Sequence, residues 1–358
     1  MLVSADSHVV EPPAVFRDYL DAEWRDQAPR LAPDHAGGER YVLPGTTRSI
    51  GLGLAGSAGT PGKELRESGT AFADIRPGAW QPGPRLEDQD ADGVAAEVLY
   101  PTVGLFLLRH INRAYSAACM AAYNTWLAEF CAKAPDRLIG CGATAVTSPD
   151  SAVRDLRSIR GKGLKGALLP LEPAEGFYAD ERFDALWAAA CDLALPITFH
   201  ALPPDRRAPA AGPGAAVILP LWDAQELLTG LVFGGVLHRW PALRIVFAEF
   251  DAGWVPHLVQ RLDHYFHRHH RWLKLDGRIH RPPSEYIARA VHFTFQDDPT
   301  ALRLALHSQT NLLWASDFPH AESTWPASRS LASAGSELLP ARLYDEFFST
   351  RARSLYGI

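Results

Sequence analysis

The chain has 358 residues, 47% of them hydrophobic and 21% charged, which supplies a sizeable core and excludes a disordered polyelectrolyte. A formal net charge of −6 gives no basic field for a polyanion, so nucleic acid is not an expected partner. Cys119, Cys131, Cys141 and Cys191 show no C-x-x-C spacing and read as reduced core thiols. With no leader-like segment before Asp6 and no apolar run of the ~18 residues a membrane span needs, a soluble cytoplasmic protein is expected.

Eight short apolar runs of β type follow one another along the chain. They are Leu2 to Asp6, Ala95 to Tyr100, Ile139 to Val146, Gly166 to Pro170, Pro196 to His200, Arg244 to Glu249, Val291 to Phe295 and Leu312 to Asp317. Helical patterns fill the gaps at 112–134, 150–159, 181–193, 223–239, 253–269, 284–290, 299–307 and 340–356. Strands that are apolar on both faces and alternate with helices are the pattern of parallel βαβ units, because the crossover helices cover the sheet. Eight such units predict closure into an α/β (β/α)8 TIM barrel, a single domain over 1–358.

The regular spacing fails once, at 36–93, between the first two predicted strands. This stretch is rich in Gly and Pro ("VLPGTTRSIGLGLAGSAGTPG", "RPGAWQPGPRLEDQDADG") and has little periodicity. Loops after barrel strands rise over the catalytic face, so it reads as an inserted lid or pocket wall.

Ionisable residues gather where the apolar runs stop. Asp6 and His8 lie at and just past the end of the first run, while His200, Glu249 and Asp317 end the fifth, sixth and eighth. Each alone has an ordinary explanation, since an Asp or Glu after a strand commonly caps a helix and a lone His is often a satisfied polar residue. In a barrel, however, the carboxyl ends of all strands meet at one face, and carboxylates converging there repel unless a cation neutralises them. A divalent metal bound by Asp6, His8, His200, Glu249 and Asp317 is the expectation. Glu11 and His320, each three residues beyond one of these, are further candidate ligands or supports. His238, His264, His267, His269 and His270 fall on helical patterns and read as surface residues.

These residues sit in motifs that match a family. With "ADSHVVEP", "AEVLYPTVGL", "TFHA", "RIVFAEFDAGWVPHLVQRLD", "PSEY", "FTFQDD" and "WASDFPH" in order along nearly the whole chain, the sequence resembles the amidohydrolase superfamily. The branch is the one that contains aminocarboxymuconate-semialdehyde decarboxylase and related metal-dependent hydrolases. The resemblance implies a distorted barrel with one or two divalent metals at its carboxyl face, with His200 and Asp317 matching the fifth-strand His and eighth-strand Asp. Two departures stand out. Asp6-x-His8 replaces the usual His-x-His or Glu-x-His, and Glu249 stands at the place of the sixth-strand His.

The full set of candidate ligands, Asp6, His8, Glu11, His200, Glu249, Asp317 and His320, exceeds what one tetrahedral zinc requires. Its carboxylate content suits iron or manganese better, as one or two ions. The first functional expectation is hydrolysis of a bulky, largely apolar small molecule by metal-activated water, with Asp317 as base and His320 and Glu249 as further catalytic groups. Two alternatives use the same residues: a non-haem di-iron monooxygenase, motivated by Glu249 and Glu11, and a non-oxidative decarboxylase. A catalytically inert binding barrel is the fourth reading. Trp80, Tyr100, Phe106, Trp222, Trp254, Phe318 and Trp325 are candidate pocket walls, and Arg109, Arg206 and Arg207 candidate anion contacts. Family resemblance also makes a homodimer an expectation.

Overall fold

The first strand, β1 (Leu2–Val9), is buried at every position, so polar residues on it must find partners inside the protein. The structure, a computed structural model, describes residues 1–46, 49–202 and 219–358; Arg206 and Arg207 lie outside them. After β1 the chain forms a small antiparallel sheet of β2 (Arg30–Pro33), β3 (Glu39–Val42) and β4 (Ser49–Gly51). The barrel resumes with β5 (Val94–Pro101), β6 (Leu138–Ala143), β7 (Gly166–Leu169), β8 (Ile197–His200), β9 (Ile245–Ala248), β10 (Val291–Phe295) and β11 (Asn311–Trp314). These pair in parallel in the order β1-β5-β6-β7-β8-β9-β10-β11, with helices between them.

All eight expected strands are therefore present, and the barrel nearly closes. Between β1 and β11 the closure is made by the segment after β11. Asp317 N–H donates to Asp6 O at 2.9 Å, His8 N–H to Phe318 O at 2.6 Å, and Ser316 N–H to the Ser4 hydroxyl at 2.9 Å. Val3, Ala5, Ala96, Val246 and Leu313 form a small apolar group inside the barrel, against which Ala352 of the last helix packs.

Two expectations are corrected. The helix expected over 223–239 is two helices, Leu219–Phe233 and Val236–Arg239, separated where Gly235 takes φ of 78°. A side chain is strained in that backbone conformation and glycine is not. The inserted stretch 36–93, expected as a loop region, carries regular structure of its own. It contributes β3 and β4, a short helix Leu52–Ala55 and a longer one, Pro82–Asp92, whose end is capped by Gly93 at φ of 77°. It bonds to the segments that follow β1 and β11, through Val10 N to Ala79 O (2.9 Å), Ala58 N to Pro319 O (3.0 Å) and Ala321 N to Leu54 O (2.9 Å).

All four cysteines are free thiols. Among the described residues no helix is long and apolar enough to cross a membrane.

Candidate metal centre

Six of the seven candidate residues converge at the ends of β1, β8 and β9 and in the segment after β11. Asp6 and His8 are two apart on an extended strand, so their side chains project to one side. The Nε2 atoms of His8 and His200 face each other at 3.2 Å. Asp6 Oδ1 lies 3.4 Å from the first and 3.5 Å from the second. Asp317 Oδ1 is 3.3 Å from His8 Nε2, and Glu249 Oε2 is 3.0 Å from His200 Nε2. His320 stacks on His8 with ring centroids 4.0 Å apart and sets its Nδ1 3.0 Å from Asp317 Oδ1.

The outer hydrogen bonds fix which ring nitrogen of each imidazole is available. His8 Nδ1 lies 3.0 Å from Pro101 O and His200 Nδ1 2.6 Å from Ala201 O, so each must donate there. In the neutral rings both Nε2 atoms then present lone pairs to the centre, the arrangement of metal-bound histidines. His320 Nε2 is engaged by the Thr102 hydroxyl at 3.0 Å, and Thr294 links the Glu249 N–H (2.8 Å) to Asp6 Oδ2 (3.5 Å). Asp6 Oδ1 and Asp317 Oδ1 are buried and accept no hydrogen bond. Converging lone pairs and buried carboxylate oxygens without a well-formed hydrogen bond fit a cation.

Ligand atoms form two overlapping groups, one of Asp6, His8 and His200 and one of His8, Glu249, Asp317 and His320, with atoms in each group within 4.8 Å of one another. Glu249 and Asp317 both take left-handed backbone angles (φ 62° and 52°), which for residues other than glycine are uncommon and concentrate at functional sites.

Burial and neighbouring charge pull the metal-free groups apart. Burial pushes the Asp6 carboxyl up, but His200 and His8 outweigh it and hold it well below the usual carboxylate range. Burial likewise lowers His200, and here Asp6 and Glu249 win, raising it to about 9. Asp317 is pushed up to about 7 and Glu249 well above its ordinary value, both mainly by burial. His8 falls to about 4 and His320 to about 3 through burial and the other imidazoles. A proton on His200 thus stands where a cation would serve several groups.

Glu11 is the seventh candidate and belongs to neither group. Its carboxylate accepts from the backbone N–H groups of Thr102 (3.1 Å), Val103 (2.8 Å) and Gly104 (2.8 Å), at the start of the short helix Val103–Leu107. A Cβ on residue 104 would stand 3.1 Å from Glu11 Oε1, so the missing side chain at Gly104 lets the carboxylate approach. Both of its oxygens are thus engaged by amides, the arrangement of the supporting role rather than the ligand role expected for it.

A cavity of about 760 Å³ opens onto Asp6 and Glu249 and is walled by Leu202, Phe250, Trp254 and Phe295 among others. Its described lining also carries Asp251, Asp297, Asp298 and Glu322, with no Lys or Arg, and nothing from 36–93. Of the expected wall aromatics only Trp254 lines it. Tyr100 is buried beside His8 and His200, Phe318 and Trp325 pack against Arg85 and Arg76, Trp80 packs on Phe72, Phe106 is half-buried, and Trp222 is exposed. Arg109 stands 4.0 Å from Asp223. The His238 and 264–270 histidines belong to neither ligand group.

Sequence reasoning missed Thr102 and Thr294, whose hydroxyls look like any other in a sequence. It also missed Arg85 and Glu97. Glu97 carried a signal, a charge in the middle of the apolar run "AAEVLY", which a buried strand tolerates only with a partner.

A family model described as "Amidohydrolase" matches residues 7–358. The gamma-resorcylate decarboxylase of Rhizobium sp. (strain MTP-10005) is 28% identical over 325 residues, covering 83% of this chain and 92% of that protein. Among solved structures, an amidohydrolase from Mycobacterium avium subsp. paratuberculosis K-10 superposes with a TM-score of 0.77 at 19% identity, covering 99% of both chains. The 5-carboxyvanillate decarboxylase of Novosphingobium aromaticivorans DSM 12444, solved with manganese and 4-hydroxy-3-methoxy-5-nitrobenzoic acid, does so with a TM-score of 0.71 at 18% identity, covering 100% of this chain and 96% of that one.

Proposed function

The chain belongs to the amidohydrolase family, and from that premise we propose that it is a divalent-metal enzyme that removes a carboxyl group, without oxidation, from a small ring-bearing acid. The observation that carries a metal-dependent reaction is the pair of orphaned oxygens on Asp6 and Asp317 facing the imidazoles of His8 and His200. Decarboxylation is placed ahead of hydrolysis because relatives similar over most of their length are decarboxylases. Asp6, His8, His200 and Asp317 would hold the ion, and manganese is the first candidate given the carboxylate content and the manganese in the 5-carboxyvanillate decarboxylase. When bound it supplies positive charge for the substrate carboxylate, in a lining whose described ionisable groups are all acidic.

The chain's own residues then do the rest. Trp254, Phe250 and Phe295 bracket the apolar ring. Glu249 borders the cavity with 29% of its side chain exposed, and burial pushes its carboxyl well above the usual carboxylate range, which favours its holding a proton. As the bond to the carboxylate breaks, its electron pair stays on the ring carbon, which takes the Glu249 proton, and CO2 departs. Water in the cavity returns a proton to Glu249. His320, held by Thr102, orients Asp317.

The two overlapping ligand groups favour a second reading. They overlap at His8, whose one available nitrogen can serve a single ion, but together they offer three carboxylates and three imidazoles, enough for a second ion, so a di-iron centre that activates O2 is the alternative proposal. One experiment separates the readings. Manganese-loaded and, anaerobically, iron-loaded protein are supplied with hydroxylated benzoates, and CO2 release and O2 consumption are followed. CO2 without O2 uptake supports decarboxylation; O2 uptake with iron alone supports the oxygenase; a hydrolysed ester or amide with neither returns the reading to hydrolysis.

A further inference from the structure

The helix Pro82–Asp92 carries an arginine that no step above uses. Arg85 is fully buried, and so is Glu97 from the interior of β5. Burying a guanidinium costs several kcal/mol unless its donors are all employed. Here Nε donates to Glu97 Oε2 at 2.6 Å, Nη1 to the carbonyls of His8 (2.8 Å) and Gly78 (3.2 Å), and Nη2 to the carbonyl of Phe318 (3.4 Å). Its plane also lies over the Phe318 ring at 4.5 Å. A Cβ on Gly78 would fall 2.0 Å from Asp88 Oδ2, so glycine there allows the helix its close approach.

Arg85 touches the backbone of His8 and of the residue after Asp317. Those candidate ligands stand on the two edges of the barrel that share no strand ladder. The other Glu97 oxygen extends the same tie, accepting from the hydroxyls of Ser7 (3.1 Å) and Ser316 (3.5 Å), each next to a ligand or one residue from it. Gln89 adds a further bond to Glu97 at 2.7 Å.

We propose that Arg85, held by Glu97, is a positioning residue that fixes the spacing of His8 and Asp317 across the gap between β1 and β11 by gripping the carbonyls of His8 and Phe318. It gives the helix ending 36–93 a role in the metal centre without lining the cavity. Its consequence for metal affinity rests on the metal-dependent reading above; the grip itself does not.

Arg85→Lys keeps a charge for Glu97 but cannot span both carbonyls with one ammonium. The pair Arg85→Met with Glu97→Met removes both buried charges together, so that no lone charge unfolds the chain. In metal-free protein we expect hydrogen exchange at the His8 and Asp317 amides to quicken about tenfold or more in both variants, while the Ile197 and Phe293 amides in β8 and β10 stay as in the wild type. Affinity for Mn2+, read by chelator competition, should fall about tenfold, the scale of losing an outer partner of a ligand. Unchanged exchange at His8 and Asp317, or faster exchange with Mn2+ affinity within about twofold of wild type, would overturn the proposal. If the wild type itself takes up no Mn2+, the metal reading falls and amide exchange alone decides for or against the grip.

Discussion

His8 and His200 bring their Nε2 atoms to 3.2 Å while each Nδ1 is committed to a main-chain carbonyl. Two imidazoles so anchored repel through their lone pairs unless a proton or a metal lies between them. Removing the metal should therefore lower the melting temperature, by an amount that grows with metal concentration; about 2.7 kcal/mol is expected at one hundred times Kd. His8→Ala should lose more affinity than the roughly 10- to 100-fold typical of an outer partner. Thermal melts with and without chelator, and metal analysis of the variant, check both.

Protonation gives the pH dependence a sign. Above about pH 6.5 the buried groups in and beside the metal-free centre still titrating are those raised on folding: Asp317 and Glu11 at about 7, His200 at about 9, and Glu249 well above its ordinary value. A raised group contributes stability that is present below its unfolded value and lost as pH rises through its folded one, so metal-free stability should fall from pH 6.5 to 9. Metal binding must displace the protons on Asp317 and His200, so affinity should rise over the same interval. Denaturant titrations and Mn2+ titrations at pH 6.5, 7.5 and 8.5 should slope in opposite directions; parallel slopes would contradict the assignment.

Glu11→Ala separates an anchor from a ligand. It leaves the amides of Thr102, Val103 and Gly104 without their acceptor, and about 1–3 kcal/mol of stability should be lost. Metal per chain should remain that of the wild type. A folded variant that has lost its metal would restore Glu11 to the ligand set.

Glu249→Gln tests the proton donor. An amide of the same shape cannot deliver the proton, and kcat for CO2 release should drop by about 10²- to 10⁴-fold with little change in KM. Equal loss of bound metal would instead place Glu249 among the ligands, as the second reading requires.

Asp317→Asn tests the other acidic group. In the decarboxylation reading Asp317 is a ligand oriented by His320, so the variant should lose metal affinity and activity together. Full metal occupancy with abolished turnover would favour Asp317 as the base of a hydrolytic reaction.

The chain order of strands and helices, and the ending of four apolar runs on Asp6, His200, Glu249 and Asp317, were legible in the sequence because burial on both faces of a barrel strand imposes an unbroken apolar run. A polar residue inside such a run needs a buried partner, as Glu97 has in Arg85, so most of the ionisable residues gather where the runs stop. The same local logic could not separate ligand from support at Glu11, since nothing in "VVEPP" says that the amides of residues 102–104, some ninety positions away, will take both of its oxygens. Within 36–93, irregular composition hid two strands and two helices. Sequence by itself determined which side chains could serve a cation. Only the tertiary structure decided which of them face one another, because that depends on β1 and β11 meeting across a gap without a ladder, where the bonds of Asp317, His8 and Arg85 to distant carbonyls set the distances.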